Sequence, residues 1–215
     1  MPQRRIVLTM TALSAALHLY IGLRLLPAIA PEGLTLGAAY LFLAVSTLLV
    51  PAGLVSSRLR WADQLSWAGL VAMGFFSSLL VLTLLRDMTL LIIALVGAGN
   101  YTVDRGTALA VPVIALGITI LGYINARRVA RVVEVSVPIA GLPKAFDGYS
   151  IVQVSDIHVG PTIKRGYLEA IVAKVNALAP DAIAITGDLV DGSVERLSAH
   201  TEPLARLSAP DGVFF

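Results

Sequence analysis

The chain alternates between two hydrophobic patterns, and the change from one to the other divides it. Over its first half, apolar residues run in unbroken blocks long enough to cross a bilayer core, which needs about 20 helical residues. Residues 34–55 and 65–85 form two such blocks without a charge, and residues 107–125 a third. Residues 6–30 form a fourth block, interrupted by His18 and Arg24. The block 88–99 is apolar but too short to cross alone, and reads as a continuation of the third helix or a re-entrant piece. Beyond about residue 130 the pattern shortens. Val133-Glu134-Val135-Ser136-Val137 alternates with the period of a half-buried strand. Residues 150–154 and 182–186 read as buried strands, and residues 164–178 between them as a helix with Leu168, Ile171, Val172, Val175 and Leu178 on one face. A second amphipathic stretch follows, with Val194, Leu197, Leu204 and Leu207 inward, before Val213-Phe214-Phe215 opens a third strand. This β-α-β-α-β order predicts a parallel sheet.

Composition agrees with that division. Hydrophobic residues make up 57% of the 215 and charged residues 14%, with a mean hydropathy of +0.82, a balance of polytopic membrane proteins rather than soluble domains. Four acidic residues (Glu32, Asp63, Asp87, Asp104) fall in the first 110 positions and ten in the rest. A net charge of +2 gives no reason to expect nucleic acid as a partner. The absence of cysteine excludes disulfides and thiolate metal sites. The fold expected is therefore a membrane all-α half over residues 1–129, followed by an incomplete α/β domain over residues 130–215. Ending in mid-strand implies that this chain is a fragment or a truncated product.

Basic residues beside the spans set the expected orientation. Arg4 and Arg5 precede the first span, Arg58 and Arg60 follow the second, and Arg127, Arg128 and Arg131 follow the fourth. Four spans put all three clusters, and the C-terminal part, on the cytoplasmic side; a true fifth span at 88–99 would invert this. Ala28-Ile29-Ala30 has the form of a cleavage site, but the long apolar stretch and Pro31 favour a retained anchor. Asn100-Tyr101-Thr102 matches a glycosylation acceptor by chance. His18 and Arg24 read either as a pathway or head-group site, or as packing and interfacial groups; the latter is expected.

The chemistry lies in two loops. Ser155-Asp156-Ile157-His158-Val159 follows one apolar strand, and Gly187-Asp188-Leu189-Val190-Asp191-Gly192 follows the next. Parallel strands would bring both loops to one sheet edge, where open α/β sheets bind ligands. Carboxylate and imidazole together suit borderline divalent metals such as Mn, Fe or Zn. An aspartate from the neighbouring strand can bridge to a second ion, and such a pair clamps a phosphoryl oxygen and activates water. Gly187 permits the tight backbone that Asp188 needs.

The run Ile151-Val-Gln-Val-Ser-Asp-Ile-His158, with Ala184-Ile-Thr-Gly-Asp-Leu-Val-Asp191, resembles the first two motif blocks of the calcineurin-like metallophosphoesterase superfamily, bacterial membrane-anchored type. The resemblance implies that Asp156 and His158 hold one metal, that Asp188 bridges two, and that Asp191 steadies the loop behind them. It also implies a metal-dependent hydrolase of a phosphomonoester, phosphodiester or pyrophosphate bond. The protein would be anchored in a membrane of the bacterial inner-membrane type and would act on a phosphorylated small molecule or lipid head group. The family's later blocks, G-N-H-[DE] and G-H-x-H, do not occur in this sequence, and His200 matches none of the family's positions. No complete catalytic set is therefore present, and the chain by itself is expected to be inactive or nearly so. The alternative is a non-enzymatic membrane scaffold or sensor carrying a degenerate phosphoesterase half.

Overall fold

The computed structural model describes residues 2–29, 33–55, 62–97 and 101–215. Ala30, Glu32, Arg58, Arg60 and Asn100, on which the loop, charge and acceptor-site expectations rest, lie outside the described residues. The chain forms two compact units, Met1–Ala126 and Arg127–Phe215.

Among the described residues the first unit contains four helices: α1 (Pro2–Ile29), α2 (Gly33–Val55), α3 (Ala62–Leu95) and α4 (Tyr101–Ala126). All four are long and apolar enough to cross a membrane, with mean hydropathy between 1.8 and 2.2 over their most apolar windows. Their large side chains mostly face outward, Leu23 at 63% and Leu121 at 70% exposure among them, which is costly in water and natural in lipid. Each helix packs on the next, and α4 also returns to α1. The inner seam is built of small and medium residues, including Ile21, Leu25, Ala28, Leu79, Ala108 and Ala115.

The described part of the block 88–99, residues 88–97, does not form a separate crossing. It continues α3 unbroken to Leu95, so the 34-residue helix is about 51 Å long, well beyond a hydrocarbon core of about 30 Å.

Polar groups inside the helical unit are paired. The ring of His18 stacks on Phe76 at 4.2 Å, donates from Nδ1 to the Ser14 carbonyl at 2.8 Å, and accepts at Nε2 from the Ser46 hydroxyl at 2.9 Å. It ties α1 to α2 as an interhelical hydrogen bond does in lipid. Arg24 does not simply reach for the interface. It grips Asp87 of α3 with two bonds, at 2.8 and 2.9 Å, and Tyr20 donates to the same carboxylate at 2.6 Å. Beside it Arg86, only 5% exposed, bonds to Asp104 and to Thr107 of α4. Two arginines and two aspartates thus join α1, α3 and α4 in a charge-balanced group, the form in which ions are tolerated at membrane depth.

The second unit is a three-stranded parallel sheet in the order β1 (Ile151–Ser155), β2 (Ala182–Thr186), β3 (Val213–Phe214). Helix α5 (Arg165–Ala177) connects β1 to β2; α6 (Val194–Thr201) and a 3-10 turn over Glu202–Arg206 connect β2 to β3. Leu168, Ile171, Val172 and Val175 of α5 are buried against Val154, Ile183 and Ile185 of the strands. Their i, i+3, i+4, i+7 spacing is the apolar stripe that a helix must bury on a sheet. Leu178, by contrast, is 41% exposed just beyond the end of α5, and Val194 is 82% exposed at the first position of α6. Both lie where the helical stripe no longer faces the sheet.

The predicted strand at 133–137 is not formed. Among the described residues no strand pairs with its backbone, and residues 130–148 are all exposed. Alternation supplies the pattern for a strand, but a strand also needs a hydrogen-bonding neighbour.

The opposite ends of the strands are closed by local bonds. Asp181 accepts from the Ser150 amide at 2.7 Å and hydroxyl at 2.9 Å, and the Tyr149 phenol donates to Asp211 at 2.6 Å.

Two tests follow from these contacts. Gly53 and Gly69 let α2 and α3 touch backbone to backbone; a Cβ on Gly69 would meet Gly53 Cα at 2.5 Å and the Leu49 carbonyl at 2.8 Å. Gly69→Ala should destabilise the helical unit by about 1–3 kcal/mol in detergent unfolding, whereas Gly74→Ala, with nothing within 4 Å, should not. Equal effects would show that α2 and α3 do not meet there. In the second unit, Asp211 raises the Tyr149 phenol to about 12. Because the raised value belongs to the folded state, the stability it contributes is full below about 10 and is lost as pH rises through about 12. Ultraviolet titration of wild type minus Tyr149→Phe should show a phenol ionising late; one ionising at the ordinary value would remove the Asp211 contact.

Candidate metal centre

Two parallel neighbours, β1 and β2, end side by side, in register from Ile151 opposite Ala182 to Ser155 opposite Thr186. Their loops do not separate at once. The His158 amide donates to the Asp188 carbonyl at 3.0 Å, the Val159 amide to Leu189 at 2.9 Å, and the Asp191 amide to Val159 at 2.8 Å. Val159 and Val190 form an isolated parallel bridge, and Val159 is fully buried beneath. Strand pairing therefore extends into the loops and holds them together from below.

Above this frame, Asp156, His158 and Asp188 come together. Each offers one ligand atom, and the three atoms lie within 4.8 Å of one another. All three side chains are exposed, so an ion could reach them from solvent. Among the described residues this is the group with metal-binding composition and spacing.

The backbone beneath the three is unusual. Asp156, His158 and Asp188 all have positive φ, at 55°, 54° and 35°, and Gly187 has φ 59°. The left-handed region is disfavoured for residues with a Cβ, although Asp and His adopt it more readily than most. Three such residues in one place cost roughly 1–3 kcal/mol each and persist where surrounding bonds over-determine them. The inter-loop amide bonds do that here. Gly187 can take its conformation without penalty.

Asp191 stands behind His158, its Oδ2 3.1 Å from Nδ1. That hydrogen bond, with the negative field of Asp188 and Asp156 adding to it, raises the imidazole above its ordinary value. Gly160 completes the arrangement: a Cβ there would come within 3.1 Å of Asp191 Cβ. Sequence reasoning gave Gly160 no part. The signal was a glycine two positions beyond the histidine.

His200 stands apart from this group. The residue is partly buried in α6, and its Nδ1 is shielded without a hydrogen-bond partner.

The donor set fits a divalent ion. Two carboxylates and one imidazole, held on strained backbone and reachable from solvent, are the mixture that Mn, Fe and Zn accept.

Comparison with known proteins agrees with the geometry. Residues 149–214 match the family model for the calcineurin-like phosphoesterases. A zebrafish (Danio rerio) protein named as a transmembrane protein with a metallophosphoesterase domain is 39% identical over 120 residues, 56% of this chain and 26% of the relative. Its cattle (Bos taurus) namesake is 38% identical over 108 residues, 50% of this chain and 24% of the relative. An uncharacterized metallophosphoesterase of Campylobacter jejuni is 28% identical over 156 residues, covering 70% of this chain and 41% of that protein. The chain thus spans about a quarter of the length of the two vertebrate relatives. Because animal as well as bacterial proteins match, the narrower bacterial type is not what distinguishes it. No solved structure matches. Residues 149–214 are thus similar to the calcineurin-like phosphoesterases, and the same chain carries four apolar helices among its described residues.

Proposed function

We propose that the protein to which this chain corresponds is a membrane-anchored, metal-dependent phosphoesterase. Its substrates would be phosphomonoesters, phosphodiesters or pyrophosphates, in soluble molecules or lipid head groups near the bilayer. The observation that carries this reading is the convergence of Asp156, His158 and Asp188 within 4.8 Å at the ends of two paired parallel strands.

In this reading Asp156 and His158 hold one divalent ion, and Asp188, arriving from the second loop, is placed to serve a second as well. When bound, the metals supply Lewis acidity toward a phosphoryl oxygen and an attacking water. The chain's own part is to hold three ligands at the sheet edge before any ion arrives, since the loops are already tied through Val159 and Val190. Asp191 keeps His158 in place. Within this chain the three residues would bind one ion weakly, and turnover is not expected of them alone.

Orientation follows from the flanking charges. Arg4 and Arg5 in the first turn of α1, and Arg127, Arg128 and Arg131 after α4, favour the cytoplasmic side. With α3 unbroken through 88–95, the crossings number four among the described residues, an even number that returns the chain to that side. The phosphoesterase unit would then face the cytoplasm.

The test is metal titration of the purified chain in detergent micelles. Mn2+ should bind, and Asp188→Asn should weaken binding by about tenfold or more, because a carboxylate ligand is lost. Affinity unchanged in that variant would overturn the assignment of Asp188.

A further inference from the structure

We propose that the segment Arg127–Arg131, fastened to α5 by Tyr167 and Lys174, is a docking surface for anionic phospholipid head groups and holds the second unit against the bilayer. This surface owes nothing to the metal centre; it requires only that α4 crosses a membrane.

The sequence puts the charge where head groups lie. Arg127 directly follows Ala126, the last residue of α4, so the chain leaves the bilayer there. Arg127, Arg128 and Arg131 are exposed, and no acidic residue occurs between Asp104 and Glu134. Among the described residues the guanidinium groups of Arg128 and Arg131 have no partner within the chain. A phosphate ester is the ligand that fits them, because the planar guanidinium fork matches its oxygens and is weakly hydrated. Anionic lipids add a surface potential that favours each juxtamembrane arginine by about fivefold.

Attachment to the fold turns this basic tether into a docking surface. Lys174 Nζ donates to the Ala130 carbonyl at 2.7 Å, the Tyr167 phenol donates to the Arg128 carbonyl at 3.4 Å, and Val129 packs on the core of the second unit. Tyr167 and Lys174 lie two turns apart on one face of α5. Lys174 also brings a further positive charge beside the arginines. The one acidic residue of α5, Glu169, is taken up by Arg165 at 3.0 Å and Arg206 at 3.2 Å, so it does not oppose them. Arginines held by anionic head groups therefore bring α5 with them.

The chain has no cysteine, so a fluorophore can be placed at one site through Ala173→Cys, an exposed position beside Lys174. The full chain is set in nanodiscs of phosphatidylcholine, with or without phosphatidylglycerol, that contain a lipid carrying a nitroxide on its head group. Quenching then reads how close α5 stays to the head groups. It should be stronger with phosphatidylglycerol, and fall to the phosphatidylcholine level in about 1 M salt, where the screening length is about 3 Å. Arg128→Gln with Arg131→Gln should lower the ratio of docked to undocked unit by roughly 25-fold, two steps of about fivefold. Arg128→Lys with Arg131→Lys keeps the charge and should retain docking. Lys144→Gln, which removes an exposed charge outside the segment, should change nothing.

Equal quenching in the two bilayers would overturn the proposal, as would quenching that survives the glutamine pair. Inorganic phosphate added at constant ionic strength should not release the unit; release would show a site for the free anion and not for the membrane. The salt comparison uses the unsubstituted segment, so persistence of the phosphatidylglycerol-dependent signal at high salt contradicts the proposal even if the glutamine pair fails to fold.

Discussion

The parallel pairing of β1 with β2, carried past the strand ends by the Val159–Val190 bridge, is the interaction on which the candidate centre depends. Without it Asp156 and His158 would sit on one loop and Asp188 on another, free to diverge. With it, four amide bonds cross between the loops and the ligands need no ion to be brought together. The same pairing explains how a non-glycine backbone can hold positive φ at all three positions. The bonds beneath offset what the local conformation costs. This is preorganisation of a kind suited to metal sites: the charge repulsion of two nearby carboxylates is met by the fold, with His158 between them as a softer donor.

The helical unit solves a different problem with the same economy. Its outward faces are apolar and its few polar groups are matched inside. His18 is satisfied by backbone and hydroxyl, and Arg24, Arg86, Asp87 and Asp104 neutralise one another across three helices. Once these partners are visible, the ionisable residues of the spans no longer suggest a transport pathway. They tie α1, α3 and α4 together, while Gly53 and Gly69 let α2 approach α3.

What could be read from sequence was what local pattern encodes. The apolar blocks marked the four helices, and the β-α-β-α-β alternation marked the parallel sheet and the edge where the strand-terminal Asp and His residues gather. What could not be read depended on partners distant along the chain. The Arg24–Asp87 pair joins residues far apart in sequence, and nothing in either block announces it. Val133 to Val137 has the alternation of a strand, yet pairing is a property of a neighbour that local sequence cannot supply. The left-handed conformations of Asp156 and His158 were hidden for a related reason. Glycine signals such geometry, and here only Gly187 carried the signal.

The central claim is that Asp156, His158 and Asp188 act as one metal centre built from two loops. Pulsed electron paramagnetic resonance of Mn2+ added to the chain tests it most directly, because it detects nitrogen bonded to the ion. The account predicts a histidine nitrogen coupling that disappears in His158→Gln and changes when histidine is labelled with nitrogen-15. Bound Mn2+ with no nitrogen coupling, or a coupling that survives His158→Gln, would contradict it.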